Sequence, residues 1–249
     1  MSMDELQRQR LNTKIHDILF GVVDWVLPPS CPGCGIEGEI LCKDCESKID
    51  RLVGKHCQFC GQAVRGSDIC GDCRNRAHSY EAYRGYGSYT GVLRDAILNL
   101  KYKNDIGIAR VLAQYLENVV QTSNWDFDLV VPVPLSLQKL EERGYNQASR
   151  LAKPLAARLG KLYRPDSLMR IRETSSQVGL DFQARLENVQ NAFRADPKII
   201  KGKSILLVDD VFTTGATLES AASELKLAGA KHVYALTLAK SDRNVKFFE

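Results

Sequence analysis

The fold of this chain is decided by the segment Ile205-Leu206-Leu207-Val208-Asp209-Asp210-Val211-Phe212-Thr213-Thr214-Gly215-Ala216-Thr217. The four apolar residues before the acids are typical of a strand that is buried on both faces, as in a parallel sheet. After the turn, apolar residues recur at helical spacing, and Gly229 is suited to end the helix. These apolar residues are Leu218, Ala221, Ala222 and Leu225. The segment therefore predicts a buried strand, a hydroxyl-rich turn and a helix in direct succession.

The turn has the features of a phosphate site. A helix that begins there directs free backbone N–H groups and the positive end of its dipole toward the turn. Gly215 lets the backbone approach a ligand closely, and the threonine hydroxyls add donors. The two acids would repel a bare phosphate unless they bind hydroxyl groups of the same ligand or a Mg²⁺ ion, so we expect a sugar phosphate such as a ribose phosphate. The candidate binding residues are Asp209, Asp210, Thr213, Thr214, Gly215, Ala216 and Thr217.

Two acids followed by Thr-Thr-Gly-x-Thr after an apolar strand resemble the phosphoribosyl diphosphate (PRPP) motif of type I phosphoribosyltransferases. The resemblance implies that these seven residues bind PRPP together with Mg²⁺. Between Cys73 and the turn, helical and strand patterns alternate, which predicts an α/β fold. We therefore expect a type I phosphoribosyltransferase-like parallel sheet flanked by helices, preceded by a small cysteine-rich zinc module and with ligands at the carboxyl ends of the strands.

The alternating patterns place the individual elements. Apolar and β-branched runs predict strands at 83–89, 129–131 and 233–239, the first of them at a sheet edge. Apolar residues at helical spacing predict helices around 93–100, 108–119 and 148–159.

All eight cysteines lie in Cys-x-x-Cys pairs, separated by loops of 7, 11 and 9 residues. The pairs are Cys31 and Cys34, Cys42 and Cys45, Cys57 and Cys60, and Cys70 and Cys73. Tetrahedral zinc takes two such pairs per ion, so the pattern predicts two structural Zn²⁺ ions. A disulfide framework is disfavoured because the sequence shows no secretory signal. Consecutive pairs close shorter loops at lower entropic cost and are favoured, while a cross-braced arrangement stays open.

Length and composition indicate one ordinary domain and one small module. The chain has 249 residues, of which 44% are hydrophobic and 26% charged. We predict an N-terminal amphipathic helix at 1–28, a double zinc-binding module at 29–79 and a phosphoribosyltransferase-like domain at 80–249. Charged residues interrupt the apolar stripe of the N-terminal helix, so no transmembrane segment is expected. The helix is expected to pack on the folded parts, with a membrane-surface or partner helix as the alternative.

Further motifs extend the resemblance over essentially the whole chain. They are Leu100-Lys101-Tyr102, Val131-Pro132-Val133-Pro134, Glu142-Arg143-Gly144-Tyr145-Asn146-Gln147, and finally Gln177, Arg185, Asn188 and Phe193. With the zinc module, these motifs resemble the ComF family of competence proteins. The resemblance implies a role in handling incoming single-stranded DNA during natural transformation. The implied partners are PRPP, single-stranded DNA, and a DNA-uptake helicase or membrane-channel proteins. The implied location is cytoplasmic, with peripheral attachment at the inner membrane as a further option.

Two other classes of function stay open. One is an active, Mg²⁺-dependent phosphoribosyltransferase of nucleotide metabolism or salvage, a glycosyltransferase whose acceptor is unknown. Transfer would need a mobile loop that excludes water, for which residues 169–178 are the candidate. The other is a non-catalytic regulatory or scaffold protein. No set of residues identifies an acceptor base, and no catalytic residue is assigned.

The resemblance also implies that the loop after the first core strand binds pyrophosphate. Val133 and Pro134 occupy that place. Arg143 precedes a glycine and could contact phosphate with both guanidinium nitrogens, although a surface salt bridge to Glu142 explains it equally well. Lys101 lies at a predicted helix C-terminus, where the helix dipole alone accounts for a cation.

Positive charge is concentrated between residues 139 and 172, which include nine basic and three acidic residues. The net charge of the whole chain is only +4. Such a stretch favours polyanions, and the candidate nucleic-acid contacts are Arg150, Lys153, Arg158 and Lys161. A solvated helix face is the equal alternative.

Overall fold

The computed structural model describes residues 28–103, 105–172 and 192–241, with Ile106 described by its backbone only. The predicted N-terminal helix therefore lies outside the described residues, apart from its last position. The same holds for Gln177, Arg185 and Asn188 and for residues 173–178 of the candidate mobile loop.

A five-stranded parallel sheet forms the centre of the larger domain, with the strand order β1-β7-β6-β2-β3. Its strands are β1 (Ala82–Ser88), β2 (Leu129–Pro132), β3 (Leu162–Tyr163), β6 (Ser204–Phe212) and β7 (His232–Lys240). β1 lies at one edge, as predicted, and β6 lies between β7 and β2. The carboxyl ends of β6 and of its two neighbours therefore meet at one edge of the sheet, where parallel sheets bind ligands.

Eight helices flank the sheet or belong to the cysteine module in the part of the chain that the structure describes. They are α1 (Lys43–Ser47), α2 (Gly71–Arg74), α3 (Gly91–Tyr102), α4 (Ile106–Gln121), α5 (Leu137–Arg143), α6 (Gln147–Leu159), α7 (Pro197–Ile200) and α8 (Ala216–Leu227). The strands predicted at 83–89, 129–131 and 233–239 and the helices predicted around 93–100, 108–119 and 148–159 are present, and most of their ends lie one or two residues from the predicted ones. Their strong periodicity explains this agreement, because each element buries one regular set of apolar side chains.

Side chains alternate between the two faces of the sheet, so the core has two halves. Val130 and Leu206 face the half that α3, α4 and α6 cover, where the helices contribute Leu93, Leu112 and Leu151. A fully buried leucine contributes about 1.5 to 3 kcal/mol by leaving water.

The opposite face of the sheet has a different cover. Leu207 packs with Leu218 of α8, with Phe193 and with Cys57 of the cysteine module. Phe193 belongs to a small antiparallel sheet of β4 (Leu168–Arg170) and β5 (Phe193–Ala195). Helices therefore lie on both faces of the sheet, as predicted. On this face, part of the cysteine module also covers the apolar side chains of the sheet.

No helix among the described residues has the length and apolar character needed to cross a membrane.

Candidate functional site

The turn after β6 has the predicted strand-turn-helix geometry. β6 continues through Asp209 and Asp210 to Phe212, and α8 begins at Ala216. Gly215 caps α8 with a φ of +86°, in the left-handed region that favours glycine. A Cβ at this position would lie 2.6 Å from Cζ of Phe212, so the ring also requires a glycine here.

The turn offers donors to an anion. The first N–H groups of α8 have no carbonyl partner within the helix. The backbone N–H of Ala216 approaches Oγ1 of Thr214 at 3.4 Å. Thr213, Thr214 and Thr217 are half-buried at the carboxyl edge of the sheet. These donors and the helix dipole together can hold one phosphate group.

The acid pair lies beside these donors. Oδ1 of Asp209 accepts a hydrogen bond from the backbone N–H of Asp210 at 2.8 Å. Burial, and then the negative charge of Asp210, raise the pKa of Asp209 above its usual value. Asp210 is only 5% exposed, and its Oδ2 atom has no hydrogen-bond partner among the described residues. Each of these carboxylates can bind a cation or accept a hydrogen bond from a ligand hydroxyl at the carboxyl edge of the sheet.

Lys101, near the end of α3, supplies such a cation. Its Nζ atom lies 3.2 Å from Oδ2 of Asp210, as an ion pair without hydrogen-bond alignment. Burial alone would lower the pKa of Lys101, but the Asp210 carboxylate outweighs this effect and raises the pKa. The interpretation of Lys101 as a helix-dipole cation missed this contact. The available signal was its spacing, since Lys101 follows Ile97 by one helical turn and Ile97 is buried.

The three pyrophosphate candidates lie at the same edge, in different settings. The backbone N–H of Val133 donates to Val208 at 2.9 Å, and its carbonyl accepts from the Asn146 side chain at 2.9 Å, so both groups are engaged within the protein. Pro134 is half-buried. The role of these two residues in ligand binding stays a prediction.

Arg143 is the third candidate. Its guanidinium lies over the ring of Tyr102 at 5.0 Å, and Nη1 donates to Oε1 of Gln147 at 3.2 Å. Glu142, the alternative partner of Arg143, accepts instead from Gln138 at 3.0 Å. The structure thus brings two of the motifs together, because Tyr102 follows Lys101 directly and Arg143 lies on it.

The four candidate nucleic-acid contacts are spread along α6 and beyond its end. Arg150 lies over the ring of Tyr145 at 5.3 Å near the carboxyl edge, and Lys153 is exposed. Nε of Arg158 donates to Glu117 at 2.6 Å. Lys161 lies over the ring of Phe127 at 5.1 Å, and Phe127 is the residue that lies two positions before the start of β2. A helix of this length spans about 20 Å, so the four cations do not form one cluster.

The eight cysteines form two sets of four, each with all sulfur atoms within 4.8 Å of one another. The sets are Cys31, Cys34, Cys42 and Cys45, and Cys57, Cys60, Cys70 and Cys73. This confirms the consecutive pairing and excludes the cross-braced one. The Sγ–Sγ distances of 3.6 to 3.7 Å compare with about 3.8 Å for tetrahedral ligands at the Zn–S bond length. All eight are free thiols, so the structure has zinc sites in place of a disulfide framework.

The electrostatics of each set also fit a metal ion. Burial raises the pKa of Cys57, but backbone N–H donors, first of all that of Cys70 at 3.3 Å, outweigh it and lower the pKa. Burial and the negative charge of Cys60 raise the pKa of Cys73. Cys31 and Cys45 form the same contrast in the first set. One thiol per set thus ionises readily and opposes ionisation of the others, and a divalent cation relieves that repulsion.

Comparison with known proteins gives two matching family models. A double zinc ribbon domain matches residues 22–74, and a phosphoribosyl transferase domain matches residues 101–246. These matches confirm the predicted fold class and the zinc module.

Curated relatives match across most of the chain. Competence protein F of Haemophilus influenzae is 29% identical over 209 residues, covering 81% of this chain and 90% of that protein. DNA utilization protein YhgH of Salmonella typhimurium is 30% identical over 207 residues, with 81% and 90% covered. Competence protein ComFC of Bacillus subtilis is 29% identical over 211 residues, with 82% and 85% covered.

Proposed function

This chain belongs to the ComF family of competence proteins, and we propose that it binds PRPP with Mg²⁺ and handles incoming single-stranded DNA. The observation that carries the proposal is the juxtaposition of an acid pair and an anion-binding turn at the carboxyl edge of the sheet. A ligand that fits both must carry hydroxyl groups and a phosphate at a short distance, as PRPP does.

The parts of PRPP fit different parts of the site. The 5-phosphate takes the N–H groups and hydroxyls between Thr213 and Thr217. The ribose hydroxyls donate to Asp209 and Asp210, in charged hydrogen bonds worth about 1.5 to 3 kcal/mol each. The pyrophosphate then points toward Arg143, which lies at the same edge and carries a permanent positive charge.

Mg²⁺ would enter with the ligand. The ion prefers oxygen ligands and usually binds through one or two carboxylates together with substrate phosphates. Asp209 and the pyrophosphate supply such ligands. Lys101 already neutralises part of the negative charge of the acid pair. The affinity for Mg²⁺ should therefore be lower in the protein alone than in the protein with PRPP bound.

The cations along α6 support contact with DNA phosphates. Arg150 and Lys153 lie on the half of α6 that begins at the carboxyl edge, whereas Arg158 is bound to Glu117. Lys153 is exposed there, whereas Arg158 would have to leave Glu117 to bind a phosphate. Backbone contacts of this kind tolerate any base sequence, as incoming DNA requires.

Isothermal titration with PRPP and Mg²⁺ tests the first half of the proposal. Asp209→Asn combined with Asp210→Asn should weaken PRPP binding by at least tenfold, since carboxylates that face the ribose are lost. Asp126→Asn is the matched control, because Asp126 is exposed and precedes β2 at the opposite edge of the sheet. Equal PRPP affinity of the double variant and wild type would refute the site.

The same titration separates the function classes. PRPP binding without turnover, in a screen of nucleobases and of glutamine, supports a binding protein. Release of pyrophosphate with one of these acceptors would identify the chain as a phosphoribosyltransferase instead. Absence of PRPP binding would leave a scaffold role.

A further inference from the structure

The second zinc site, formed by Cys57, Cys60, Cys70 and Cys73, is linked to the turn at 213–217, here called the phosphate turn, through a buried tyrosine. Tyr83 of β1 is 0% exposed, and its backbone N–H donates to the carbonyl of Gln58 at 2.7 Å. Its ring lies against Gly61, where a Cβ would come within 2.6 Å of Cε1. Gln58 and Gly61 belong to the turn that carries Cys57 and Cys60. The ring of Tyr83 therefore rests on the backbone of a metal-binding turn.

The Tyr83 ring also packs on Phe212, the last residue of β6 before the phosphate turn. Its centroid lies 4.3 Å from that of Phe212, the residue that requires a glycine at position 215. Its hydroxyl contacts Oγ1 of Thr237 at 2.8 Å, and Thr237 is paired with Asp209 across the sheet. One side chain thus touches the metal-binding turn, the ring that packs on Gly215 of the phosphate turn, and the strand next to the acid pair.

A second route joins the same two sites. Nε2 of His78 lies 3.3 Å from the carbonyl oxygen of the zinc ligand Cys73, and Nδ1 lies 3.7 Å from the carboxylate of Glu219. Glu219 also accepts from the backbone N–H of Ser79 at 2.7 Å. Glu219 lies in the first turn of α8, and its N–H donates to the carbonyl of Gly215 at 2.9 Å. The helix that opens at the phosphate turn is thereby tied to the zinc module.

We propose that the second zinc site positions the phosphate turn, so that Zn²⁺ at that site and PRPP at the turn stabilise each other. Tyr83 and Glu219 are the positioning residues, since neither is expected to touch PRPP. The proposal rests on the proposed function for its ligand. Mutual stabilisation follows from linkage. If Zn²⁺ and PRPP both bind more tightly to the same packing of the residues between their sites, each ligand raises the affinity of the protein for the other.

The first zinc site offers an internal control. Its buried ligands Cys31, Cys42 and Cys45 pack with Leu41 and with Val92. Val92 lies at the start of α3. Val92 is nine residues before Lys101, so this contact lies at the far end of the helix from the acid pair. The proposal therefore assigns coupling to one of the two zinc ions only.

Zinc release from the full-length protein measures the coupling. A chromophoric chelator in excess follows loss of the two ions, with and without PRPP and Mg²⁺. PRPP should slow release from the second site about tenfold, within the usual range of coupling between sites, and leave release from the first unchanged. A variant with Cys31→Ser and Cys34→Ser, which retains only the second site, assigns the slowed phase. Equal protection of both ions, or of neither while PRPP binds, would overturn the proposal.

Two pairs of variants test the positioning residues. Tyr83→Leu should keep two zinc ions, weaken PRPP binding several-fold and abolish the protection of zinc by PRPP. Tyr86→Leu is the matched control, because Tyr86 is also buried on β1 but stacks on Tyr115 on the other face of the sheet. Glu219→Gln should reduce the protection, whereas Glu224→Gln on the same helix should not. Protection of zinc that persists in both Tyr83→Leu and Glu219→Gln would contradict the assignment.

Hydrogen exchange distinguishes failure of this inference from failure of the proposed function. Titration of wild type decides whether PRPP binds at all. Independently of PRPP, removal of zinc by chelation should speed exchange of the amides of residues 213–218 at least tenfold, with the amides of α4 as a reference. Unchanged exchange at 213–218 would overturn the inference even if PRPP binds. Faster exchange would sustain the positioning of the turn even if its ligand is another phosphate.

Discussion

Replacing Gly215 with alanine tests the geometry of the phosphate turn with a magnitude that can be worked out in advance. The residue has a φ of +86°, and alanine pays about 1 to 2 kcal/mol in this region. The new Cβ would lie 2.6 Å from Cζ and 2.8 Å from Cε2 of Phe212, closer than real contacts allow. The ring cannot shift freely because Tyr83 packs on it, so relief of the overlap should cost a further 1 to 3 kcal/mol, approximately. We expect a total loss of about 2 to 5 kcal/mol in the free energy of unfolding.

Urea unfolding followed by circular dichroism measures this loss, and a second glycine separates its two parts. Gly202 has a φ of +74°, but a Cβ there meets no heavy atom within 4 Å. Gly202→Ala should therefore pay only the backbone cost of about 1 to 2 kcal/mol. Adding Phe212→Leu to Gly215→Ala should recover part of the steric cost, as a double-mutant cycle reports. The reasoning is refuted if Gly215→Ala and Gly202→Ala lose the same free energy within about 0.5 kcal/mol.

Three further predictions concern the metal, the acid pair and the basic surface. Purified protein should hold two zinc ions, and Cys57→Ser combined with Cys60→Ser should remove one of them and keep the other. Elemental analysis measures the zinc content. No zinc in the wild type, or loss of both ions in the variant, would contradict two separate sites. Burial and Asp210 raise the folded-state pKa of Asp209, so the folded chain binds a proton more tightly than the unfolded one. The free energy of unfolding should therefore fall as the pH rises from about 4 to about 7, and Asp209→Asn should flatten this dependence in urea titrations at several pH values. Fluorescence anisotropy of a labelled single-stranded oligonucleotide should show weak binding, in which log affinity falls with log salt concentration by about 0.7 per phosphate contacted. Lys153→Glu should make this slope shallower. An unchanged slope would show that Lys153 does not contact the phosphates.

The features predicted correctly from the sequence are those that neighbouring residues specify together. The apolar run of β6, the Gly215 turn and the periodic face of α8 stand next to one another, so their geometry is local. The Cys-x-x-Cys pairs are local as well, since two residues between ligands bring both sulfur atoms to one side of a turn. Chain entropy favoured consecutive zinc sites without excluding cross-bracing, and packing of the whole module decided between them.

The remaining features depend on residues that are distant in sequence, and only the tertiary structure decided them. Lys101 meets Asp210 because α3 and β6 end at the same edge of the sheet, a fact that no local pattern contains. Tyr83 reads as an ordinary strand residue, and only the docking of the second zinc site onto β1 places it between metal and phosphate sites. The physical reason is common to both: periodicity records which face a side chain buries, whereas the partner on that face is chosen by the packing of the complete fold.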